Sequence, residues 1–351
     1  MKLLVSALEH SANIHLKALK QKLSRETRFV GVFDKRLGDP LIDLSALAVM
    51  GFVDAVGKLP FFLRLSRQMV DLARTADKVL LIDSSGFNLP LAKKIKKRFP
   101  DKHILYYILP QAWAWQKRRI PALEQAVDSL ASILPFEPGH YSKKAPIAYV
   151  GHPLLDEIPT YKHGLTRTGR IAFMPGSRGA EIRRLMPVYR ALRRKIPCEA
   201  FLVIPPYFHG EKIQDLYGDL SGFRPVRDAH STLAACDFAF VCSGTATLEA
   251  ALIGVPFVLS YIAKPVDFFI AKRFVKLDHI GLANIMFTKF KGYPLHPELI
   301  QNEVRVDNLL NAHDSMDRNV YYDNAMQLRA YLQHGSAARV AEMIEGSNGI
   351  L

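Results

Sequence analysis

The chain has 351 residues, about twice the length of an ordinary domain, so two domains are expected. Hydrophobic residues make up 49% of it and charged residues 23%, which excludes a largely disordered protein. With 47 Lys and Arg against 33 Asp and Glu, the net charge is +14. Such a surface suits a phosphorylated partner, whether a nucleotide, an anionic lipid or a nucleic acid.

The 3 cysteines, Cys198, Cys236 and Cys242, show no C-x-x-C spacing. This excludes a disulfide framework and a zinc ribbon, and it fits a reducing cytosol. The apolar run at residues 3–7 indicates a first strand, because no small-residue cleavage site follows it. No apolar stretch reaches ~18 residues, so a soluble or peripheral protein is expected.

In the first half of the chain, short β-branched runs alternate with longer amphipathic runs. The predicted strands are residues 3–7, 29–33, 79–82, 103–108, 132–134 and 148–150. The predicted helices are residues 14–23, 61–75 and 89–98. Strands that alternate with helices of ten or more residues are typical of βαβ units in a parallel sheet.

A second series of the same kind follows the polar stretch 158–170, which carries Pro and Gly and marks the break between domains. Its predicted strands are residues 171–174, 200–204, 238–241 and 257–259. Its predicted helices are residues 181–195, 247–253 and 268–275, and after Pro297 the chain is predicted to be helical, ending with 337–344.

The predicted fold class is therefore α/β, with two doubly wound, Rossmann-like domains and C-terminal helices. The expected first domain is 1–160, completed by a helix near 335–351, and the expected second domain is 165–330.

A Ser/Gly/Thr turn joins a buried strand to a helix in the sequence VCSGTATLEA. Gly244 lets the backbone approach a ligand closely, and the helix N-terminus offers free N–H groups to a phosphate. Ser243, Thr245 and Thr247 add hydroxyl groups. Glu249 is a candidate acceptor for ribose hydroxyls, although an ordinary hydroxyl-capped helix fits the same residues.

A second strand-turn-helix pattern stands in the sequence FMPGSRGAE. Gly176 and Ser177 form the turn, and Arg178 has the fork geometry that suits a diphosphate. A capped helix with a surface arginine is the alternative. In open α/β sheets ligands bind at the carboxyl ends of strands, which is where both turns are predicted to lie.

In the first half, Asp83 ends a predicted strand in VLLIDSSGFN. It is a candidate acid or base, or simply a turn former. The aromatic run YYILPQAWAW contains Gln111, Trp113 and Trp115, which could line a sugar or acyl site or belong to the core.

Apolar residues mixed with arginines occupy 44–56 and 61–67, and basic residues cluster at 93–98 and 117–119. This composition suits a patch that lies on a membrane surface, since it is too short to span a bilayer. A satellite core with snorkelling arginines is the alternative.

The missing motifs narrow the chemistry. The chain has no G-x-x-x-x-G-K-[ST], no G-x-G-x-x-G and no D-x-D. We therefore expect helix N-termini and basic side chains to meet the phosphates, with no metal and no cofactor beyond a sugar nucleotide as substrate. The combination favours a metal-independent sugar-nucleotide transferase with two facing α/β domains.

Seven segments of the sequence, in order, resemble those of the lipid-A-disaccharide synthases, the bacterial glycosyltransferases of lipid A assembly. The segments are IDSSGFN, PQAWAW, ILPFE, VGHP, PGSR, SGTATLE and GLANI. The resemblance implies a GT-B fold whose C-terminal domain binds UDP-2,3-diacylglucosamine. It also implies 2,3-diacylglucosamine 1-phosphate as acceptor and the β-1,6-linked disaccharide 1-phosphate plus UDP as products. Inversion at the sugar calls for a base that deprotonates the acceptor 6-hydroxyl.

The sequence departs from the family pattern in three places. The family opens with Gly-Glu-Ala-Ser-Gly-Asp, and this chain has LEHSAN, which keeps Glu9 and Ser11 and places Asn13 at the acid. Gly86 stands where the family has a second aspartate, and Leu-Pro-Asn becomes Leu-Ala-Asn. The catalytic candidates that carry over are Glu9, Asp83, Arg178 and Asn284, with His10 as a local alternative base. The candidates on the acceptor and acyl side are Ser11, Asn88, Gln111, Trp113 and Trp115.

Two alternatives remain open at this point. One is a related UDP-N-acetylglucosamine transferase of peptidoglycan lipid intermediates, and the other is a non-catalytic nucleotide-sugar or lipid-binding protein. The favoured reading implies a cytoplasmic protein, peripheral on the inner membrane, that contacts its two acylated substrates and no nucleic acid. The sequence leaves a homo-oligomer open.

Overall fold

The computed structural model describes residues 1–43, 59–115, 117–263 and 278–346. The chain divides into two compact units, Met1–Glu157 together with Leu332–Leu351, and Ile158–Tyr331. The predicted helix 268–275 and the apolar segment 44–56 lie outside the described residues. Among the helices that are described, none is both long and apolar enough to cross a bilayer.

The first unit is built on a parallel sheet of 7 strands in the order β3-β2-β1-β4-β5-β6-β7. The strands are β1 Lys2–Ser6, β2 Arg28–Phe33, β3 Ile42–Asp43, β4 Lys78–Ile82, β5 Ile104–Tyr107, β6 Ser129–Ser132 and β7 Ile147–Tyr149. Its helices are α1 His10–Lys20, α2 Leu59–Ala73, α3 Ser85–Arg98, α4 Ala112–Trp115, α5 Ile120–Ala126, α6 Pro153–Glu157 and, at the end of the chain, Ser336–Glu345.

Helices cover both faces of this sheet, because alternate strand residues point to opposite sides and both sides are apolar. Leu81 and Tyr106 belong to the core on one face, and Ile82 and Tyr107 to the core on the other. The helix Ser336–Glu345 contributes to the second of these cores, so the end of the described chain completes the first unit.

The second unit has a parallel sheet of 6 strands in the order β10-β9-β8-β11-β12-β13. The strands are β8 Arg170–Met174, β9 Glu199–Val203, β10 Arg224–Val226, β11 Phe238–Cys242, β12 Phe257–Tyr261 and β13 Glu298–Ile300. The helices that follow α6 are α7 Gly179–Lys195, α8 Glu211–Tyr217, α9 Ala229–Ala235, α10 Thr245–Ile253, α11 Leu282–Lys291, α12 Val306–Ser315 and α13 Arg318–Leu332, so that Ser336–Glu345 is α14.

Several predicted bounds were wrong. The expected strand 132–134 is β6, Ser129–Ser132, because its buried serines gave it no apolar run. The region after Pro297 is not helical throughout, since it begins with β13. Two further short strands, β3 and β10, were also missed. Like β13, they lie at the edges of their sheets and contain polar residues, so no apolar run marks them in the sequence. Helix α1 begins at His10, four residues before the expected start at 14. This start was not predicted because its N-cap residue is Glu9, which makes no side-chain capping bond and is not a usual sequence signal for a helix start.

Candidate active site

Two carboxylates meet at the carboxyl edge of the first sheet. Glu9 follows β1, Asp83 follows β4, and these two strands are neighbours in the sheet, with Ser6 opposite Leu81. The hydroxyl of Ser84 donates a hydrogen bond of 3.1 Å to Oε1 of Glu9. The structure therefore brings together the two carboxylates that the sequence analysis selected.

The turn that carries Asp83 is strained. Asp83 has φ 50° and Ser84 has φ 43°, both in the left-handed region that non-glycine residues rarely adopt. Such residues persist only where the surroundings hold them, and they concentrate at functional sites. The OH of Tyr106 donates to the carbonyl of Asp83 at 2.7 Å.

Asn88 supplies the rest of the support for this turn. It is fully buried, and its Nδ2 donates to the carbonyls of Ile82 at 3.1 Å and Asp83 at 2.8 Å. Its Oδ1 accepts a bond of 2.6 Å from the hydroxyl of Ser6. Asn88 was predicted to lie on the acceptor side, and the structure places it beneath the Asp83 turn, where it positions the backbone and is closed off from solvent.

The environment of the pair weakens both acids. Burial raises the pKa of Asp83 above its ordinary value. Burial, followed by the nearby charge of Asp83, raises the pKa of Glu9, and the bond from Ser84 opposes this. A carboxylate with a raised pKa is a stronger base and is better matched to accepting a proton near neutral pH.

Asn13 fixes the backbone of Glu9. It is buried, and its Nδ2 donates to the carbonyls of Ala7 and Glu9, each at 2.8 Å. Its Oδ1 accepts from the backbone N–H of Asp34 at 2.7 Å. An ionised aspartate could not donate the first two bonds, so the asparagine is suited to the turn that this chain has.

The remaining candidates of the first unit lie in different environments. Ser11 and Gln111 are exposed, and His10 is exposed at the first residue of α1. Trp113 is buried, with its ring 4.9 Å from that of Phe136. Trp115 ends α4, and its side chain lies outside the part of the chain that is described.

The two glycine turns of the second unit lie side by side. They follow β8 and β11, which are neighbouring strands with Met174 opposite Val241. Gly176 has φ 103°, and a Cβ there would lie 2.8 Å from Oε2 of Glu181. Gly244 has φ 143°, and a Cβ there would meet nothing within 4 Å. Gly176 is thus required by local packing, whereas Gly244 leaves open space at the N-terminus of α10.

Arg178 lies at this edge with its side chain largely exposed. It is the N-cap residue of α7, its side chain is 80% exposed, and its Nη1 donates to Oε1 of Glu181 at 2.9 Å. This hydrogen bond raises the pKa of Arg178, so the guanidinium stays charged. The adjacent Ser177 is exposed and its carbonyl accepts from the OH of Tyr207 at 2.9 Å.

The hydroxyls of the SGTATLE turn do not share one role. Thr245 is exposed, whereas Thr247 is buried and its hydroxyl donates to the carbonyl of Gly244 at 2.9 Å. Ser243 donates to the carbonyl of Ile280 at 3.3 Å. Oε2 of Glu249 lies 3.5 Å from Nε2 of His230.

Asn284 is fully buried and all of its hydrogen-bonding capacity is used inside the second unit. Its Nδ2 donates to the carbonyl of His296 at 2.9 Å and to Oε1 of Glu298 at 2.8 Å. Its Oδ1 accepts from the backbone N–H groups of Leu295 and His296 at 2.7 and 3.0 Å. Asn284 was predicted as a catalytic candidate, but its hydrogen bonds hold neighbouring backbone groups and the Glu298 side chain in position.

Glu298 extends this bracing toward the glycine turn. Its carboxylate accepts from the backbone N–H of Ile280 at 2.9 Å and of Gly281 at 3.0 Å. Because the carbonyl of Ile280 accepts the hydroxyl of Ser243, a continuous chain of contacts links Asn284 to the SGTATLE turn. Sequence reasoning missed Glu298, which lies in an edge strand with no pattern to mark it.

The chain is similar in sequence to known proteins. The family model described as lipid-A-disaccharide synthetase matches residues 3–343. The lipid-A-disaccharide synthase of Helicobacter pylori strain J99 is 49% identical over 97% of both chains. The chain belongs to the lipid-A-disaccharide synthetase family. The synthase of Campylobacter jejuni strain RM1221 is 44% identical over 97% of this chain and 98% of its own.

Solved structures share the fold of this synthetase-family chain at low identity. CalG4, the calicheamicin glycosyltransferase, has a TM-score of 0.61 at 14% identity and covers 98% of this chain and 97% of its own. MurG of Acinetobacter baumannii has a TM-score of 0.55 at 14% identity, with 99% of both chains covered. The predictions of the family and of a GT-B fold with two parallel α/β sheets are confirmed.

The synthetase-family chain shows no group of three or more His, Cys, Asp or Glu side chains that could hold a metal ion within residues 1–43, 59–115, 117–263 and 278–346. A Cβ at Gly86, where the family has an aspartate, would meet nothing within 4 Å.

Proposed function

We propose that the chain is a lipid-A-disaccharide synthase that transfers 2,3-diacylglucosamine from UDP to the 6-hydroxyl of 2,3-diacylglucosamine 1-phosphate with inversion. The products are the β-1,6-linked disaccharide 1-phosphate and UDP. The observation that carries this proposal is the 49% identity to a curated synthase over 97% of both chains. The carboxylate pair of the first unit and the paired glycine turns of the second unit supply chemistry that such a transfer needs.

The first unit supplies the base. In the proposed step the acceptor oxygen O6 forms a bond to the anomeric carbon of the donor as the bond from that carbon to UDP breaks. The proton of the 6-hydroxyl passes to Asp83, whose raised pKa suits it to general-base catalysis. Glu9, held by Ser84 at 3.1 Å, keeps negative charge beside Asp83 and favours its protonation as the proton arrives.

The second unit holds the departing UDP. The open space at Gly244 lets a diphosphate reach the backbone N–H groups at the N-terminus of α10. Arg178, charged and mostly exposed at the start of α7, stabilises the negative charge that develops on the leaving group. No metal ion takes part in this proposal.

The enzyme is proposed to work as a peripheral protein on the cytoplasmic leaflet of the inner membrane. Helix α2 exposes Leu59 (58%) and Leu63 (44%), which share one face at a spacing of four residues. Arg64 and Arg67 are exposed on the same helix. Apolar insertion combined with basic residues is the pattern that binds an anionic membrane surface reversibly.

Helix α3 brings further basic charge to this surface. Its Lys94 reaches the hydroxyl of Ser66 on α2 at 2.9 Å, so the basic run Lys93–Arg98 lies against α2. Phe61 and Phe62, expected in the exposed patch, instead pack partly buried against the core. The two leucines therefore carry the apolar part of the proposed membrane contact.

The proposed reaction is tested by mixing purified protein with UDP-2,3-diacylglucosamine and 2,3-diacylglucosamine 1-phosphate and measuring UDP and disaccharide 1-phosphate. We expect both products in equal amounts. A parallel reaction with UDP-N-acetylglucosamine tests the alternative transferase, and we expect no turnover there. Binding of the donor without release of UDP would instead support a non-catalytic protein and contradict the proposal.

A further inference from the structure

A cavity of about 430 Å³ opens in the first unit at the start of α1, where its lining begins with His10, the residue after Glu9. It lies where α1 begins after β1 and where the chain leaves β2, so it shares the carboxyl edge of the sheet with the Glu9–Asp83 pair. Its polar lining includes His10, Lys17, Asp34 and Arg36. Asn13, which also lines it, bonds both to the carbonyl of Glu9 and to the N–H of Asp34 and so ties the cavity wall to the catalytic turn.

The charges of this cavity favour an anion. Nε of Arg36 donates to both carboxylate oxygens of Asp34, at 2.9 and 3.0 Å, and Nη2 donates to one of them. These bonds hold the pKa of Asp34 down at about 2, so Asp34 carries one negative charge at any working pH. Lys17 and Arg36 carry two positive charges, and both side chains are exposed to the cavity mouth.

The ion pair with Asp34 uses only some of the hydrogen-bond donors of Arg36. The carboxylate engages Nε and Nη2, and the guanidinium has a further nitrogen, Nη1, that takes no part in this ion pair. Asp34 also accepts from the backbone N–H of Arg36 at 2.9 Å, which fixes the turn that presents the guanidinium. An arginine oriented in this way is preorganised for the oxygens of a phosphate group.

The position of the cavity suggests which phosphate it takes. Asp83 follows β4 and Arg36 follows β2, with β1 between them in the sheet. Neighbouring strands lie about 4.8 Å apart, so the two residues stand at positions roughly 10 Å apart along the edge. In a hexose the hydroxymethyl group and the anomeric phosphate are attached to the two carbons that flank the ring oxygen, so both groups lie on one side of the sugar and can face the same sheet edge together.

We propose that the cavity lined by His10, Lys17 and Arg36 binds the anomeric phosphomonoester of the acceptor sugar while the 6-hydroxyl of that sugar lies at Asp83. The inference rests on the proposed function, and it adds the subsite that distinguishes a phosphorylated acceptor from an unphosphorylated one. A phosphomonoester carries about −1.5 to −2 charge and three acceptor oxygens, which match Lys17 and the free side of Arg36.

The kinetic test compares two acceptors, 2,3-diacylglucosamine 1-phosphate and the same lipid without its phosphate, in identical detergent micelles. We expect the wild-type chain to prefer the phosphorylated acceptor. Lys17→Ala and Arg36→Gln should each lower kcat/KM for that acceptor about tenfold or more, the scale of one charge-assisted contact, while changing the unphosphorylated acceptor less than about twofold.

Lys22→Ala and Arg28→Ala serve as matched controls. Both residues are exposed, both changes remove one positive charge, and neither residue lines the cavity. Arg28 begins β2 and therefore lies at the opposite edge of the sheet. We expect both controls to keep the preference of the wild type. An active wild type that is indifferent to the phosphate, or Lys17 and Arg36 variants that keep the full preference, would overturn the inference.

A binding measurement separates the inference from the proposed function. Glucosamine 1-phosphate is titrated against the whole chain by phosphorus NMR, with the Lys17→Ala/Arg36→Gln double variant and the Lys22→Ala/Arg28→Ala double variant beside it. Binding that is lost only in the first double variant supports the cavity even if no disaccharide forms. Equal binding by all three proteins contradicts the cavity even if the transferase is active. Because Lys17 is exposed, the single variant Lys17→Ala keeps the test valid if the loss of Arg36 disturbs Asp34.

Discussion

Glu137 is a buried carboxyl group in the ILPFE segment of the first unit. It is 1% exposed, and its Oε2 lies 2.5 Å from the hydroxyl of Ser132. That hydroxyl also lies 3.1 Å from the carbonyl of Leu134 and accepts from the N–H of Leu134 at 3.2 Å. One hydroxyl proton cannot serve both oxygens, and a proton on Glu137 resolves the conflict. Burial raises the pKa of Glu137 to about 7, although the hydrogen bond with Ser132 opposes this rise.

The free energy of unfolding should therefore fall as pH rises from 4.5 toward 7. The folded chain retains the proton of Glu137 up to about 7, whereas the unfolded chain releases it near 4.5, so the folded state is penalised progressively across this window. Above pH 7 the full penalty, about 3 kcal/mol, is present. Glu137→Gln cannot ionise and should be more stable than the wild type at pH 8, with a smaller difference at pH 5.

Urea denaturation of the two proteins at pH 5, 6 and 8 measures this effect. Glu26→Gln, at an exposed glutamate, is the control and should follow the wild type. Stability curves of Glu137→Gln and wild type that run parallel across the pH range would show that Glu137 is ionised in the folded chain.

Gly244 offers a test of the nucleotide site that does not depend on packing. A Cβ at Gly244 would meet nothing within 4 Å, so Gly244→Ala causes no clash and places a methyl group where a diphosphate would approach. Its φ of 143° favours glycine and strains an alanine, so circular dichroism first checks that the variant is folded. We expect UDP affinity in calorimetry to fall about tenfold or more, a loss of roughly 1.4 kcal/mol. Gly164→Ala is the control, since Gly164 has φ 158° and equally open surroundings. Equal UDP affinities for the two variants would count against the site.

Arg178 provides a test of the stabilisation of the leaving group. Arg178→Ala should lower kcat by about 10²-fold, the effect of removing one preorganised donor. Arg183→Ala, one turn further along α7 and paired with Asp215 at 2.6 Å, should leave kcat near the wild-type value. Activity should persist in excess chelator, and activity that chelator abolishes and magnesium restores would contradict a metal-independent transfer.

At the scale of elements, the turns were more predictable than some of the strands. The turns after β4, β8 and β11 carry Gly, Ser and Asp directly after apolar runs, and such residues are required wherever the chain leaves a strand with unusual backbone angles. Strand β6 has the sequence Ser-Leu-Ala-Ser, so its position depends on hydrogen bonds from buried serines that no apolar pattern records. The bonding of Asn13, Asn88 and Asn284 could not be predicted either, because each depends on backbone groups brought together by folding.

The exposed face of α2 can be tested as an element. Leu59→Ser/Leu63→Ser removes both exposed leucines without touching the core, and it should reduce the fraction of protein that sediments with anionic vesicles at high salt. Salt screens the contribution of Arg64 and Arg67, so what remains at high salt reports the apolar contact. Val320→Ser, at an exposed valine of α13 (55%), is the control. Unchanged sedimentation of the double variant would show that α2 does not touch the membrane.

At the scale of the whole molecule, the first unit is assembled from both ends of the chain. Val340, Ala341 and Ile344 of α14 are buried in the same core as Leu16 and Leu19 of α1. The hydroxyls of Tyr107 and Ser336 lie 2.8 Å apart, and Asp156 accepts from the N–H groups of Gly335 and Ala337 at 2.7 and 3.0 Å. These contacts make α14 a structural part of the first unit.

Ala341→Glu should therefore destabilise the first unit selectively. A charge placed in this core costs several kcal/mol because it finds no partner there. We expect the first unit to unfold, and acceptor binding to be lost, at a lower temperature than in the wild type. Calorimetry should still detect UDP binding. Glu342→Ala, on the outer face of the same helix, is the control. A variant with wild-type melting behaviour would show that α14 can be displaced without loss.

The return of α14 to the first sheet sets the order in which the protein can form on the ribosome. The second unit, Ile158–Tyr331, is continuous in sequence and can fold as soon as it has emerged. The first unit emerges earlier, yet the core that holds Leu16 and Leu19 of α1 lacks Val340, Ala341 and Ile344 until α14 has been synthesised. The half of the protein that is made first is thus completed last, and during translation its apolar surface is open to chaperones.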